Sequence, residues 1–169
     1  CFPFAKWTNY NLGLHSGCII YYPGVTQAGR KTDALVEYTD ILPTILDIAG
    51  IRYNPSDFDG KSFKKVITGE TDTFKKYTFG IETTNGINNG NECYPIRSVG
   101  TADYRYVYNL VPDQAYRNNV FTLNWFQSWK KQAETDPYVA YLIDKYQNRP
   151  KEELFDLKRD PYCQHNIAG

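Results

Sequence analysis

The chain has 169 residues, enough for one full domain or two small subdomains, and folding is expected to bury about 70% of the unfolded chain's surface. Lys plus Arg number 19 and Asp plus Glu 19, with no polybasic or polyacidic run, so nucleic-acid binding by bulk charge is excluded as a function class. The longest apolar run, Cys18-Ile19-Ile20-Tyr21-Tyr22, falls far short of the ~20 residues that cross a bilayer, and no membrane partner is expected.

In chain order, residues 17–22 form an apolar, β-branched and aromatic run closed by Pro23-Gly24, which predicts a buried strand in need of a sheet. Thr39 to Gly50 carries capping oxygens at its front, Pro43 in the first turn and Gly50 beyond its end, which predicts a helix. Its expected buried face is Ile41, Leu42, Ile45, Leu46, Ile48 and Ala49. Asp59-Gly60-Lys61-Ser62 introduces a shorter helix through Phe63, Val66 and Ile67 that ends at Gly69. The polar segment Glu70 to Lys76 is the predicted internal boundary.

Beyond it the period changes from 3.6 to 2. Tyr77, Phe79, Ile81 and Thr83 alternate with Thr78, Gly80 and Glu82, and Tyr94 to Val99 and Tyr104 to Tyr108 follow after an Asn/Gly loop. These read as three strands of an antiparallel meander. One helix carries Phe126, Trp129, Lys130 and Ala133, and a second is capped by Asp136, opened by Pro137 and stopped by Arg149-Pro150. Glu153 to Leu157 is a last strand before an Asp160-Pro161 turn. Strands backed by helices on one face predict a small α+β unit.

The candidate chemistry is sparse. Cys1, Cys18, Cys93 and Cys163 match neither a CxxC metal site nor a dense disulfide framework and read as separate thiols. His15 and His165 have no sequence-local carboxylate or thiol cluster, so no metal site is argued from them. Asp57-Phe58-Asp59-Gly60 resembles half of a calcium loop but lacks its later carboxylates, and reads as a turn and helix cap. The loop Asn85 to Glu92, with Asn85, Asn88, Asn89 and Asn91, presents neutral donors and acceptors suited to sugar hydroxyls, or is a solvated hairpin loop. The 15 Tyr and Trp7, Trp125 and Trp129 could stack on sugars, though most have core spacing. Lys6 stands beside Trp7 and reads either as an exposed lysine or as a cation whose pull on an anion is strengthened by an aromatic wall. With no Met and an abrupt opening at Cys1, the chain reads as a piece of a larger polypeptide.

Several segments taken together resemble a known family. They are Phe4-Ala5-Lys6-Trp7-Thr8-Asn9-Tyr10, Gly13-Leu14, Ile19 to Gly24, and Asp33 to Gly50, then Asp59 to Phe63, Tyr94-Pro95-Ile96-Arg97-Ser98-Val99, Glu153 to Leu157, Asp160-Pro161 and Asn166-Ile167-Ala168. In order and spacing they resemble the later part of a type I sulfatase of the alkaline-phosphatase superfamily. The Tyr-Pro-Ile-Arg-Ser-Val segment looks most like the heparan N-sulfatase, or sulfamidase, branch. The resemblance implies an α/β to α+β fold: residues 1–75 as the tail of a sulfatase α/β domain, and 76–169 as a C-terminal subdomain with a four-stranded antiparallel sheet and packed helices.

It also implies hydrolysis of sulfate esters or sulfamates of glycans by a parent protein that uses formylglycine and calcium, with this piece inactive alone. The alternatives are a self-standing carbohydrate-binding or structural module using Tyr and Asn side chains, and a phosphodiesterase-type relative of the same superfamily. Lys6 occupies the position of the family's sulfate-binding cation, whereas the nucleophile and calcium-binding carboxylates match earlier sequence. Cys1-Phe2-Pro3-Phe4-Ala5 lacks the Arg of the C-x-P-x-R motif that is oxidised to formylglycine, and so is not read as the nucleophile. Asn85, Asn88, Asn91, Glu92 and Arg97 are the candidate glycan contacts, with no metal ligand expected within the chain. Gly100, His15 and Cys163 depart from common family residues. The implied partners are a sulfated glycan and the missing N-terminal part of the same protein, and self-association is the alternative way to satisfy the strand at 17–22. Export to a bacterial periplasm or cell surface is expected over a lysosome, because the one sequon-like triplet, Asn54-Pro55-Ser56, is blocked by Pro.

Overall fold

The computed structural model describes residues 4–169, so the Cys1-Phe2-Pro3 start of the formylglycine-like motif lies outside the described residues. Two compact units divide the chain: residues 17–78, and residues 4–16 together with 79–169. The boundary near 76 lies close to the change of unit. Residues 4–16 differ from the expected grouping, because Phe4 and Tyr10 pack edge-on against Tyr146 and Phe155 at 5.4 and 5.6 Å.

The unit 17–78 is built on α2 (Ile41–Ile48), entered through a 3-10 turn at Tyr38–Asp40, and α3 (Lys64–Thr68). Both helices fall where the capping residues predict them. The buried Asp40 carboxylate accepts from Glu37 N and Lys61 N at 2.8 and 2.9 Å and pairs with Lys75 Nζ at 2.8 Å. Lys75 also meets Glu37 at 2.6 Å; burial opposes its charge, but the bonds to Asp40 and Glu37 prevail and raise its pKa. This ionic staple joins three separate stretches of the unit. Phe63, Val66 and Ile67 form its small core, and α3 ends on Gly69 in the left-handed conformation.

Two expectations for this unit are corrected. Residues 17–22 have no strand structure, and Ile19 is 99% exposed. A run apolar on both faces forms a strand only between paired neighbours, and the bridge recorded in this unit joins Leu35 to Lys75 instead. In α2 the buried residues are Pro43 and Thr44, and of the expected face Ile48 packs against the small core while Ile41, Leu42, Ile45 and Ala49 are exposed. Thr44 faces in because its hydroxyl donates to Asp40 O at 2.6 Å and accepts from Phe63 N at 3.0 Å.

The other unit holds a four-stranded sheet in the order β1 (Thr78–Glu82), β2 (Ile96–Gly100), β3 (Tyr104–Asn109) and β4 (Glu152–Asp156). β2 and β3 are antiparallel with Ser98 opposite Val107, and β3 and β4 are antiparallel with Val107 opposite Glu153. α1 (Asn11–Leu14) precedes the sheet in sequence, and α4 (Asn124–Gln132) and α5 (Pro137–Gln147) interrupt it between β3 and β4. The α5 start matches its sequence signature, with Asp136 accepting from Tyr138 N at 2.9 Å and Val139 N at 3.3 Å. Tyr10, Tyr94, Ile96, Val107, Tyr116, Val120, Phe126, Tyr146 and Phe155 form one buried cluster. Core spacing overcounts the tyrosines: only these four are buried, and others at strand or helix spacing, such as Tyr77, Tyr104, Tyr138 and Tyr141, are exposed because they fall on outward faces.

β1 reverses its expected phase. Gly80 faces inward, and Phe79 and Ile81 are 66% and 69% exposed. A Cβ on Gly80 would stand 2.4 Å from Ser98 Oγ and 2.7 Å from Leu14 Cδ1. β1 lies too close to β2 and α1 for any inward side chain, which decides its phase against the apolar alternation.

Candidate functional site

The segment Phe4–Tyr10 closes on itself. Thr8 N and Thr8 Oγ1 both donate to Ala5 O, at 3.1 and 2.6 Å, leaving Lys6 and Trp7 at the tip. Trp7 sits at φ 63°, a left-handed conformation that costs a bulky residue about 1–3 kcal/mol and persists only where its surroundings enforce it. Thr8, Asn9 and Tyr10 are buried behind the tip, whereas Lys6 is exposed with Nζ 4.5 Å from the Trp7 ring centroid. The ammonium is held against an aromatic face and stays open to an anion.

What enforces the turn comes from far along the chain. The buried Tyr116 hydroxyl donates to Trp7 O at 2.5 Å, and Asn118 Nδ2 donates to the hydroxyls of Tyr116 and Tyr146 at 3.1 and 2.8 Å. Burial raises the pKa of both phenols, so both remain donors at neutral pH. The Tyr116 backbone donates to Gln147 O at 2.7 Å, and the Arg149 guanidinium carbon lies 3.9 Å from the Tyr116 ring centroid.

The Asn-rich loop docks on the same segment. Asn91 Oδ1 accepts from Arg117 N at 2.6 Å, Asn91 Nδ2 donates to Ala115 O at 3.0 Å, and Asn89 Nδ2 donates to Asn119 Oδ1 at 3.0 Å. Glu82 Oε1 accepts from Thr83 N and Thr84 N at the loop's entry. Thr84 Oγ1 reaches Asn91 O at 3.0 Å and accepts from Tyr94 N at 2.9 Å, pinning its two ends together. Thr84 and Asn89 also have positive φ, so three of the four left-handed non-glycine residues described, Trp7, Thr84 and Asn89, belong to these two elements. Residues 115–119 thus hold the Lys6 turn on the Tyr116 side chain, and the Asn loop on the backbone of Ala115 and Arg117 and the side chain of Asn119.

The sequence candidates therefore separate. Lys6 stands at the tip of its strained turn, and Asn85, Asn88 and Glu92 are exposed on the loop. Asn91 spends its amide on the 115–117 backbone. Arg97 lies on the outward face of β2, opposite Tyr108, with Nη1 on Ile96 O at 2.9 Å. Tyr116, Asn118, Glu82 and Arg149 were not singled out by sequence; Asn118 alone carries a local signal, as the cap that accepts from Val120 N at 2.9 Å. His15 and His165 are exposed, and among the described residues no group of three His, Cys, Asp or Glu could hold a metal ion. Asn54 caps the turn Pro55–Asp57, accepting from Ser56 N at 3.2 Å, so the first residue of the calcium-like stretch, Asp57, ends a capped turn. No described helix is long and apolar enough to cross a membrane.

Comparison with known proteins gives this geometry a context. The family model described as N-sulphoglucosamine sulphohydrolase, C-terminal, matches residues 3–116. The chain is 32% identical to an ulvan-active sulfatase of Formosa agariphila, covering 98% of this chain and 31% of that protein. It is 25% identical to the N-acetylglucosamine-6-sulfatase of Bos taurus, covering 98% of this chain and 28% of that protein. A solved structure in complex with its substrate D-glucosamine-2-N,6-O-disulfate has the same fold, with a TM-score of 0.58 at 22% identity over 89% of this chain and 23% of that one. The chain thus spans less than a third of the length of these relatives.

Proposed function

This chain belongs to the N-sulphoglucosamine sulphohydrolase C-terminal family, and on that premise we propose that it forms part of the substrate cleft of a larger glycan sulfatase. In this reading Lys6 binds the sulfate and stabilises the charge that gathers on its oxygens during S–O or S–N cleavage. One observation carries the proposal: Lys6 is displayed at the tip of a strained turn whose support, residues 115–119, also holds the Asn-rich loop. A fixed ammonium beside an aromatic wall suits a sulfate oxyanion, because it needs little reorganisation as charge develops. Asn85, Asn88 and Glu92 are the loop groups left to meet sugar hydroxyls; Arg97 has the weaker case.

Formylglycine and calcium, if the parent uses them, supply the nucleophile and a Lewis acid. In this reading the chain's own contribution is binding, orientation and charge stabilisation. The names of the relatives point to sulfate esters, on ulvan and on N-acetylglucosamine O6. The family description points to a sulfamate. We favour an O-sulfated glycan, since the sequence most similar among these relatives over nearly the whole chain is an ulvan-active sulfatase. Polyanionic glycans do not diffuse across membranes, which supports export of the parent.

The test is Lys6→Ala in the longest polypeptide that carries this sequence, assayed on glucosamine 6-O-sulfate and glucosamine N-sulfate. Loss of one oxyanion donor is expected to lower kcat/KM about 10²- to 10³-fold on the preferred substrate. A value within twofold of wild type removes Lys6 from the site.

A further inference from the structure

We infer that Tyr116 is a positioning residue for Lys6, fixing the ammonium through the backbone of the turn rather than by touching substrate. The inference rests on the reading of Lys6 as the sulfate-binding cation. The carbonyls of the two residues that neighbour Lys6 are both held: Ala5 O by Thr8 N and Oγ1, and Trp7 O, one peptide beyond Lys6, by the Tyr116 hydroxyl. The first restraint is local and would form in any such turn. The second spans 109 residues and acts at the residue with the unfavourable φ of 63°.

Tyr116 is itself over-restrained. It is fully buried, its hydroxyl receives Asn118 Nδ2, its ring lies under the Arg149 guanidinium and edge-on to Tyr94 at 5.2 Å, and its backbone is tied to Gln147 O. Such a hydroxyl has one available orientation, and the carbonyl it holds is set accordingly. The residues flanking Tyr116, Ala115 and Arg117, carry both side-chain bonds of Asn91. The Lys6 tip and the base of the Asn loop are therefore placed against one rigid segment. Tyr116 fixes the distance between the charge that meets the sulfate and the groups that meet the sugar. A misplacement of about 1 Å in such a constellation is enough to cost on the order of a hundredfold in rate.

The test is a double-mutant cycle in the longest polypeptide carrying this sequence, with Tyr116→Phe, Lys6→Ala and the pair, measured as kcat/KM on the sulfated substrate beside the thermal midpoint of each variant. Tyr116→Phe is expected to lower kcat/KM about ten- to a hundredfold, and the double variant is expected to be no slower than Lys6→Ala alone, because the positioned group is already gone. Multiplicative losses would overturn the inference and leave Tyr116 a residue of the fold. If Lys6→Ala is itself without effect, the sulfate-binding reading fails first and the inference with it, so the two failures are told apart. Asn118→Thr, which keeps the cap acceptor and removes the donor that aligns the Tyr116 hydroxyl, guards against misfolding of Tyr116→Phe. It is expected to give a smaller loss in the same direction that also disappears in the Lys6→Ala background. A loss that persists there counts against the inference.

Discussion

Arg149 and Glu153 place opposite charges in the core of the sheet-bearing unit, where each is almost completely shielded from water. Arg149 is surrounded by the rings of Tyr116, Tyr10 and Tyr146 at 3.9, 5.2 and 5.4 Å, and Glu153 accepts from Tyr10 OH and Asn109 Nδ2, both at 2.9 Å. Burial raises the Glu153 pKa, against the pull of Arg149 and these two bonds. The folded carboxyl therefore binds its proton more tightly than the unfolded one. Between the two pKa values the native state holds more protons, so the Glu153 contribution to stability is greatest below the unfolded value and falls as pH rises through the folded value. Arg149→Met removes the cation, extends that window upward, and leaves a buried carboxylate uncompensated at neutral pH, at an expected cost of about 3–5 kcal/mol. Urea unfolding at a series of pH values from acid to neutral checks this, with the variant losing more stability toward neutral pH than wild type. Equal losses at every pH would mean that Arg149 acts by ring packing alone. Because the same guanidinium covers Tyr116, the cation that offsets the Glu153 charge also steadies the support of the Lys6 turn.

At the scale of elements, what the sequence reveals is divided by range. Helix ends were readable because their chemistry is local: Asp136-Pro137 opens α5 and Gly69 closes α3 where expected. The meander of β1, β2 and β3 also follows from the change of period, whereas the place of β4 beside β3 came only with the family resemblance. The faces were not readable in α2 or β1, since periodicity locates an apolar stripe without saying what covers it. In β1 the decision belongs to Gly80, which alone lets the strand approach Leu14 and Ser98. Gly80→Ala should therefore destabilise the chain by about 1–3 kcal/mol, the usual cost of overpacking, as a lower urea midpoint. An unchanged midpoint would show that β1 can move outward freely, and the phase would need another cause. The site shows the same division. Lys6 was identified through resemblance to a family, the exposed Asn85 and Asn88 through composition, and Tyr116 not at all, because a hydroxyl acting across 109 residues leaves no local pattern.

Across the whole molecule, both units turn apolar side chains outward. Ile19, Tyr21, Leu42, Ile45 and Ile51 do so in residues 17–78, and Phe79 and Ile81 in the sheet-bearing unit, each more than half exposed. Scattered single residues of this kind are ordinary, but here they recur on one helix face, one strand face and one run that has no strand partner. Burying a side chain of this type is worth about 1.5–3 kcal/mol, so these seven leave on the order of 10 kcal/mol of burial unrealised. Relatives more than three times as long as this chain have further polypeptide that could cover such faces. The 169-residue chain alone is accordingly expected to self-associate and to bind a hydrophobic dye such as ANS. A polypeptide of the relatives' length that carries this sequence should do neither. Ile45→Glu and Ile81→Glu, introduced together, should reduce both the dye signal and the association seen by sedimentation velocity while leaving the unfolding midpoint unchanged, because neither side chain is packed in a core. A chain that stays monomeric and dark to the dye at every accessible concentration would show that these outward faces are tolerated by water, and would remove the argument that they await a covering surface.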